Sequence, residues 1–135
     1  MNPKAACILV YNEHGKVLAT SRRGQSDQFG LPGGKLDAGE SAMSAAIREI
    51  FEETGLVIWT DDNLEFLYSA DDGHGFEVTT FVYTKPVASA APLQMELEIF
   101  VDWVDPRVLI DGPFGSYNKQ VFLAEMKRQA EVSCD

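Results

Sequence analysis

Arg48, Glu49, Glu52 and Glu53 fall within two turns of a segment that reads as one helix. Glu49 stands four residues before Glu53 and three before Glu52. All three carboxylates therefore share a face, where like charges repel by roughly a few tenths of a kcal/mol per pair. They also crowd the last turn, where the helix dipole favours cations. Arg48 can offset Glu52 at i, i+4, and the other two have no local partner. Such a face is either solvated or loaded with a cation. A set of hard oxygen donors without His or Cys suits Mg²⁺ or Mn²⁺.

The elements around this cluster follow from the chain's punctuation. Residues 29–39 hold Pro32, Gly33, Gly34 and Gly39, which make a helix there implausible and let the backbone approach a ligand closely. The helix is expected from about residue 40 to 54. Glu40 falls in its first turn, Gly55 at C′, and Met43, Ile47, Ile50 and Thr54 form a buried stripe. Ala42, Ala45 and Ala46 leave room above the carboxylates.

Strands are expected at residues 5–11, 16–22, 56–59, 64–69, 77–84 and 93–104, the first two as a hairpin through Asn12-Glu13-His14-Gly15. His74, in the Asp71–Gly75 loop, reads as an exposed loop histidine. A final helix covers residues 117–131. Hairpin, crossover helix and terminal helix together imply helices packed on a mixed sheet. Arg22 and Arg23 end the second strand, either as a solvated pair or as a phosphate clamp.

With 135 residues, the chain is expected to form one domain, residues 1–135. The net charge of −10 argues against a broad nucleic-acid surface, though bound cations can invert the sign locally. Two cysteines, Cys7 and Cys134, belong to no metal-binding cluster and fit a reduced, cytoplasmic setting. The first residues lack a signal-peptide core, and no stretch has the length of a membrane span.

The stretch Gly34, Glu40, Arg48-Glu49-Ile50, Glu52-Glu53, Gly55-Leu56 resembles the Nudix box, G-x5-E-x7-R-E-U-x-E-E-x-G-U, at every defined position. That resemblance implies an α/β fold of the Nudix type, an α/β/α sandwich with a mixed sheet. It also implies divalent-metal-dependent hydrolysis of a nucleoside diphosphate linked to another group. Carried over by position, Glu52 and Glu53 are metal ligands and Glu49 is a further ligand or the base. Arg48 would orient a carboxylate, Glu40 would serve structure through Arg48, and the Gly33 carbonyl would be an additional ligand. Lys35 would contact phosphate.

Glu98 matches the family's downstream Glu-x4-Trp segment, and Glu96, with the same strand parity, stays open beside it. Trp103 reads as core. The short length and Arg22-Arg23 resemble the MutT-like group, which turns (d)NTPs into a monophosphate and pyrophosphate. In that group Asn118 would read the base, and its alternative is a cap or turn. Phe29 stands where many relatives carry Trp, on the floor of the nucleotide pocket. The resemblance leaves other substrates open: ADP-ribose, a nucleotide sugar or a dinucleoside polyphosphate. A nucleotide-sensing domain without catalysis is the alternative outside enzymes. The expected partner is a small nucleotide, and the expected assembly is a monomer or homodimer.

Overall fold

The computed structural model describes residues 2–22, 28–59 and 63–133. Arg23 and Cys134 lie outside them. The elements in chain order are β1 (Lys4–Leu9), β2 (Val17–Arg22), β3 (Gly33–Lys35), α1 (Ala42–Thr54), β4 (Leu64–Asp71), β5 (Glu77–Tyr83), β6 (Ile99–Val104), α2 (Pro106–Ile110) and α3 (Gly115–Ser133). Four strands form a mixed sheet in the order β3-β1-β5-β4, with β1 and β5 parallel, and β2 pairs antiparallel with β6.

β1 explains the layering. Ala6, Ile8 and Val10 face one core together with Ala45, Ala46 and Ile50 of α1. Cys7 and Leu9 face the other, with Leu109 of α2 and Tyr117, Val121 and Phe122 of α3. A strand that is apolar on both sides needs a cover on each face, and the period of two sends alternate residues to each. The result is a helix–sheet–helix sandwich.

Several local expectations change. Residues 56–59 form no strand, yet Leu56 and Ile58 are buried against α1. The strand expected from residue 93 begins only at Ile99, and what precedes it is loop. The turn after β1 is built by Asn12, whose Oδ1 accepts from the backbone N–H groups of His14 and Lys16, each at 2.9 Å. It closes the expected hairpin only briefly: Tyr11 bridges Val17, and Leu18 N–H donates to the Val10 carbonyl at 3.0 Å, after which β2 leaves the mixed sheet and pairs with β6. α1 starts later than expected. Ser41 caps it by accepting from Ser44 N–H, so Glu40 precedes the helix and is not placed for a dipole interaction. Gly55 closes it at φ 76°. Ala45 and Ala46 are fully buried against the sheet. Their small size brings α1 close to β1 and does not open space over the carboxylates.

Candidate active site

α1 presents its acidic face to the edge where β3, the end of β2 and the 93–98 loop converge. Arg48 is its hub. Its Nε donates to Glu40 Oε2 at 2.8 Å and its Nη2 to Glu40 Oε1 at 2.9 Å. Nη1 donates to Glu49 Oε1 at 2.9 Å and reaches Glu52 at 3.3 Å, while Nη2 also donates to the Lys35 carbonyl at 3.1 Å. This fork-to-fork pairing is the strong form of an ion pair. The Arg48 guanidinium, with the Asp37 N–H, holds the Glu40 carboxyl at about 2, and Glu40 in turn raises Arg48.

Glu53 is buried and accepts from Gly33 N–H at 2.9 Å. Burial pushes its pKa up to about 8. The Gly33 hydrogen bond and Arg22 oppose the rise, while Glu49 and Glu96 add to it. Gly34 makes room for the neighbouring carboxylate, since a Cβ there would lie 2.5 Å from the Glu49 carboxyl carbon.

Three adjoining cavities run from this cluster. The acidic one, about 430 Å³, is lined by Arg22, Gly33, Gly34, Glu49, Glu53 and Glu96. The largely apolar one, about 470 Å³, is lined by Lys35, Asp72, Phe76, Phe114, Tyr117 and Asn118 among others. A middle cavity of about 480 Å³ shares Arg22 and Gly33 with both. It also holds Ser21, whose buried Oγ has no hydrogen-bond partner.

The floor of the apolar cavity is internally satisfied. Tyr117 donates its hydroxyl to the Val78 carbonyl, so its oxygen accepts from Thr80 at 2.7 Å, and Thr80 in turn accepts from the Cys7 thiol at 3.1 Å. Burial raises that thiol to about 12.

The residues singled out from sequence divide accordingly. Arg22 lines all three cavities. The Lys35 ammonium lies over the Phe76 ring, 5.4 Å from its centroid, and Lys35 lines the apolar cavity as well as the acidic one. Asn118 is buried inside α3, so it is neither cap nor turn. Its amide donates to the Leu109 carbonyl at 3.1 Å, and the residue lines the apolar cavity. Glu52 stays exposed beside Arg48.

Two placements correct the expectation. Phe29 packs against the second core and lines none of the three cavities, where Leu31 takes part instead. Glu96 and Glu98 are both exposed, but Glu96 lines the acidic cavity and Glu98 lines none of the three. The parity argument fails because residues 96–98 are loop, not strand. Leu93 N–H donates to the Thr54 carbonyl at 2.8 Å and Met95 packs over Gly55. This loop is thereby pinned to the end of α1, which delivers Glu96. Trp103 packs against the first core, as expected, with its Nε1 on the Ser89 carbonyl.

Among the described residues, no three His, Cys, Asp or Glu side chains are gathered into a finished metal shell. The donor set nevertheless fits a hard divalent cation. Glu49, Glu53 and Glu96 face one cavity, and only the Arg22 and Lys35 side chains among its lining residues carry positive charge.

The NUDIX domain model matches residues 1–124. The chain belongs to the Nudix family. A Bacillus subtilis (strain 168) protein, provisionally named an 8-oxo-dGTP diphosphatase, is 46% identical over 55 residues, which cover 41% of this chain and 36% of that protein. The match thus spans about a third of that curated relative. Among solved structures, the MutT protein of Methanosarcina mazei Go1 superposes with a TM-score of 0.68 at 21% identity, covering 93% of this chain and 94% of that one. The NUDIX domain of Shewanella oneidensis NrtR, complexed with ADP-ribose, gives 0.70 at 18% identity, covering 96% and 89%. These likenesses show that this Nudix chain has the MutT-type α/β fold. Among the described residues no helix is long and apolar enough to cross a membrane.

Proposed function

We propose that this chain is a pyrophosphohydrolase that converts a nucleoside triphosphate or its deoxy form into the monophosphate and pyrophosphate, with Mg²⁺ or Mn²⁺. One observation carries the reading. The acidic cavity holding Glu49, Glu53 and Glu96 opens, past Arg22, toward a cavity of nucleoside size with aromatic walls. The provisional name of the Bacillus subtilis relative points the same way.

In this reading Glu52, Glu53, Glu49 and the Gly33 carbonyl hold the metal, with Glu96 taking the place expected for Glu98. The bound metal would draw charge from the phosphate oxygens and acidify the attacking water. Glu49 takes that water's proton as the water oxygen bonds to phosphorus. The bridging P–O bond breaks, and its electron pair leaves on pyrophosphate. Arg48 holds Glu49 in place, Arg22 and Lys35 hold phosphate oxygens, and Asn118 faces the base. The enzyme acts on soluble nucleotides in the cytoplasm, as a monomer or homodimer.

A second reading, ADP-ribose hydrolysis, is favoured by the ligand of the Shewanella oneidensis neighbour. A panel of dNTPs, NTPs, ADP-ribose, nucleotide sugars and dinucleoside polyphosphates, with Mg²⁺ and then with chelator, tests both. Monophosphate plus pyrophosphate from a triphosphate is expected. Turnover of ADP-ribose alone supports the second reading, and binding without turnover supports a sensor. Glu53→Gln is expected to lose about 10²-fold or more in turnover while staying folded.

A further inference from the structure

The Asp71–Gly75 loop does more than join two strands. Gly73 and Gly75, at φ 80° and 93°, bracket His74. Asp71 and Asp72 tie the loop down by accepting from the N–H groups of Gly73 and His74 at 2.8 and 2.7 Å. The loop is thus shaped to hold one imidazole in place. His74 Nε2 meets the Pro113 carbonyl at 2.8 Å. A carbonyl only accepts, so Nε2 carries the hydrogen, and in the neutral ring Nδ1 is left as an acceptor. The ring stands edge-on to Phe114, centroids 5.0 Å apart. Phe114 in turn lies over Gly30, 3.5 Å from where a Cβ would sit.

His74, Phe114, Gly30 and Leu31 line both the apolar and the middle cavity, but none of them lines the acidic one. They form the wall common to these two cavities. The apolar cavity also meets the acidic one directly, at Arg22, Gly33, Gly34 and Lys35. A nucleotide with its base against Phe114 and its phosphates toward Glu49 and Glu53 brings its pentose alongside this wall, where His74 is the one polar side chain of the four and Nδ1 is its acceptor.

We propose that His74 is a specificity residue that reads the sugar, with Nδ1 accepting a hydrogen bond from a pentose hydroxyl. This rests on the nucleotide-hydrolase reading above, and the test separates the two.

Dissociation constants are measured by calorimetry for the ribo-, 2′-deoxy- and 2′,3′-dideoxynucleoside monophosphates of guanine and adenine. Each is measured with wild type, His74→Phe and His74→Gln. The Phe variant keeps a ring against Phe114 and loses both nitrogens, while Gln restores a donor and an acceptor. Deleting the hydroxyl that is read should weaken wild-type binding about tenfold. His74→Phe should weaken binding of the hydroxyl-bearing ligand by a similar factor and leave the ligand lacking it unchanged. His74→Gln should recover part of the loss. The ribo/deoxy and deoxy/dideoxy comparisons show whether the 2′ or the 3′ hydroxyl is the one. An equal loss across all ligands, or none, overturns the inference even if the wild type hydrolyses triphosphates. Absence of both turnover and monophosphate binding overturns it together with the functional reading.

Discussion

Arg48 grips Glu40 with two parallel hydrogen bonds, 2.8 and 2.9 Å, across eight residues of sequence. Glu40 lies outside the helix, so the pair ties the glycine loop to α1. The same guanidinium reaches Glu49 and Glu52. One residue thereby sets both the loop's position and the aim of the carboxylates.

This pair should be visible in the acid limb of stability. The Glu40 carboxyl sits at about 2 in the folded protein against an ordinary 4.5. Its contribution is therefore complete above about pH 4.5 and is lost as pH falls toward 2, where the unfolded chain takes up the proton first. Glu40→Gln lacks that dependence. Melting temperatures of the two proteins should differ at pH 6 and converge as pH falls to about 2. Parallel curves would count against the pairing.

Gly34 has a second, sharper consequence. A methyl group there would meet the Glu49 carboxyl carbon at 2.5 Å, so Gly34→Ala must displace that carboxylate. A displacement of about 1 Å at a reacting group can cost about 10²-fold in rate. The expected outcome is that loss in kcat, with far-UV circular dichroism unchanged. A variant with wild-type kcat would remove Glu49 from the reaction.

Much of this site is written locally and could be read in the sequence. The helical spacing of Arg48, Glu49, Glu52 and Glu53 fixes their common face, and Gly33-Gly34 signals close backbone approach. What local pattern misses depends on tertiary contacts. Glu96 and Glu98 are indistinguishable by parity until Leu93 and Met95 are seen docked on the end of α1. Phe29 looked like pocket floor, but the second core takes its ring. His74 is an exposed loop histidine, as its sequence setting indicates, but its contacts with Pro113 and Phe114 span about forty residues and carry no local signal. The apolar run 56–59 reads as a strand. Its residues alternate between buried and exposed as a strand would, but among the described residues no neighbour supplies the ladder.

Ser21 should be a site where stability was left unused. Its Oγ is buried without a partner, and a buried hydroxyl left unsatisfied costs about 1–3 kcal/mol. Ser21→Ala removes the cost at the expense of one small atom. The variant should be stabilised by about 1 kcal/mol, seen as a higher urea midpoint at unchanged slope. A lower midpoint would mean that the hydroxyl is satisfied in solution.

The two glutamates of the 93–98 loop give the cleanest contrast, because they are chemically identical and two residues apart. Glu96 shares a cavity with Glu49 and Glu53 and acts on the Glu53 carboxyl through its charge. Glu98, exposed like Glu96, lines none of the three cavities. Amide substitution changes charge while keeping shape, so any difference between the variants reports position. Glu96→Gln should lower kcat by about 10- to 100-fold and raise the metal concentration needed for half-maximal rate. Glu98→Gln should stay within about twofold of wild type in both, as expected of a solvated charge. The reverse ranking would mean that the loop rearranges when substrate and metal bind, and that the acidic cavity seen between α1, β3 and this loop is not the reacting one.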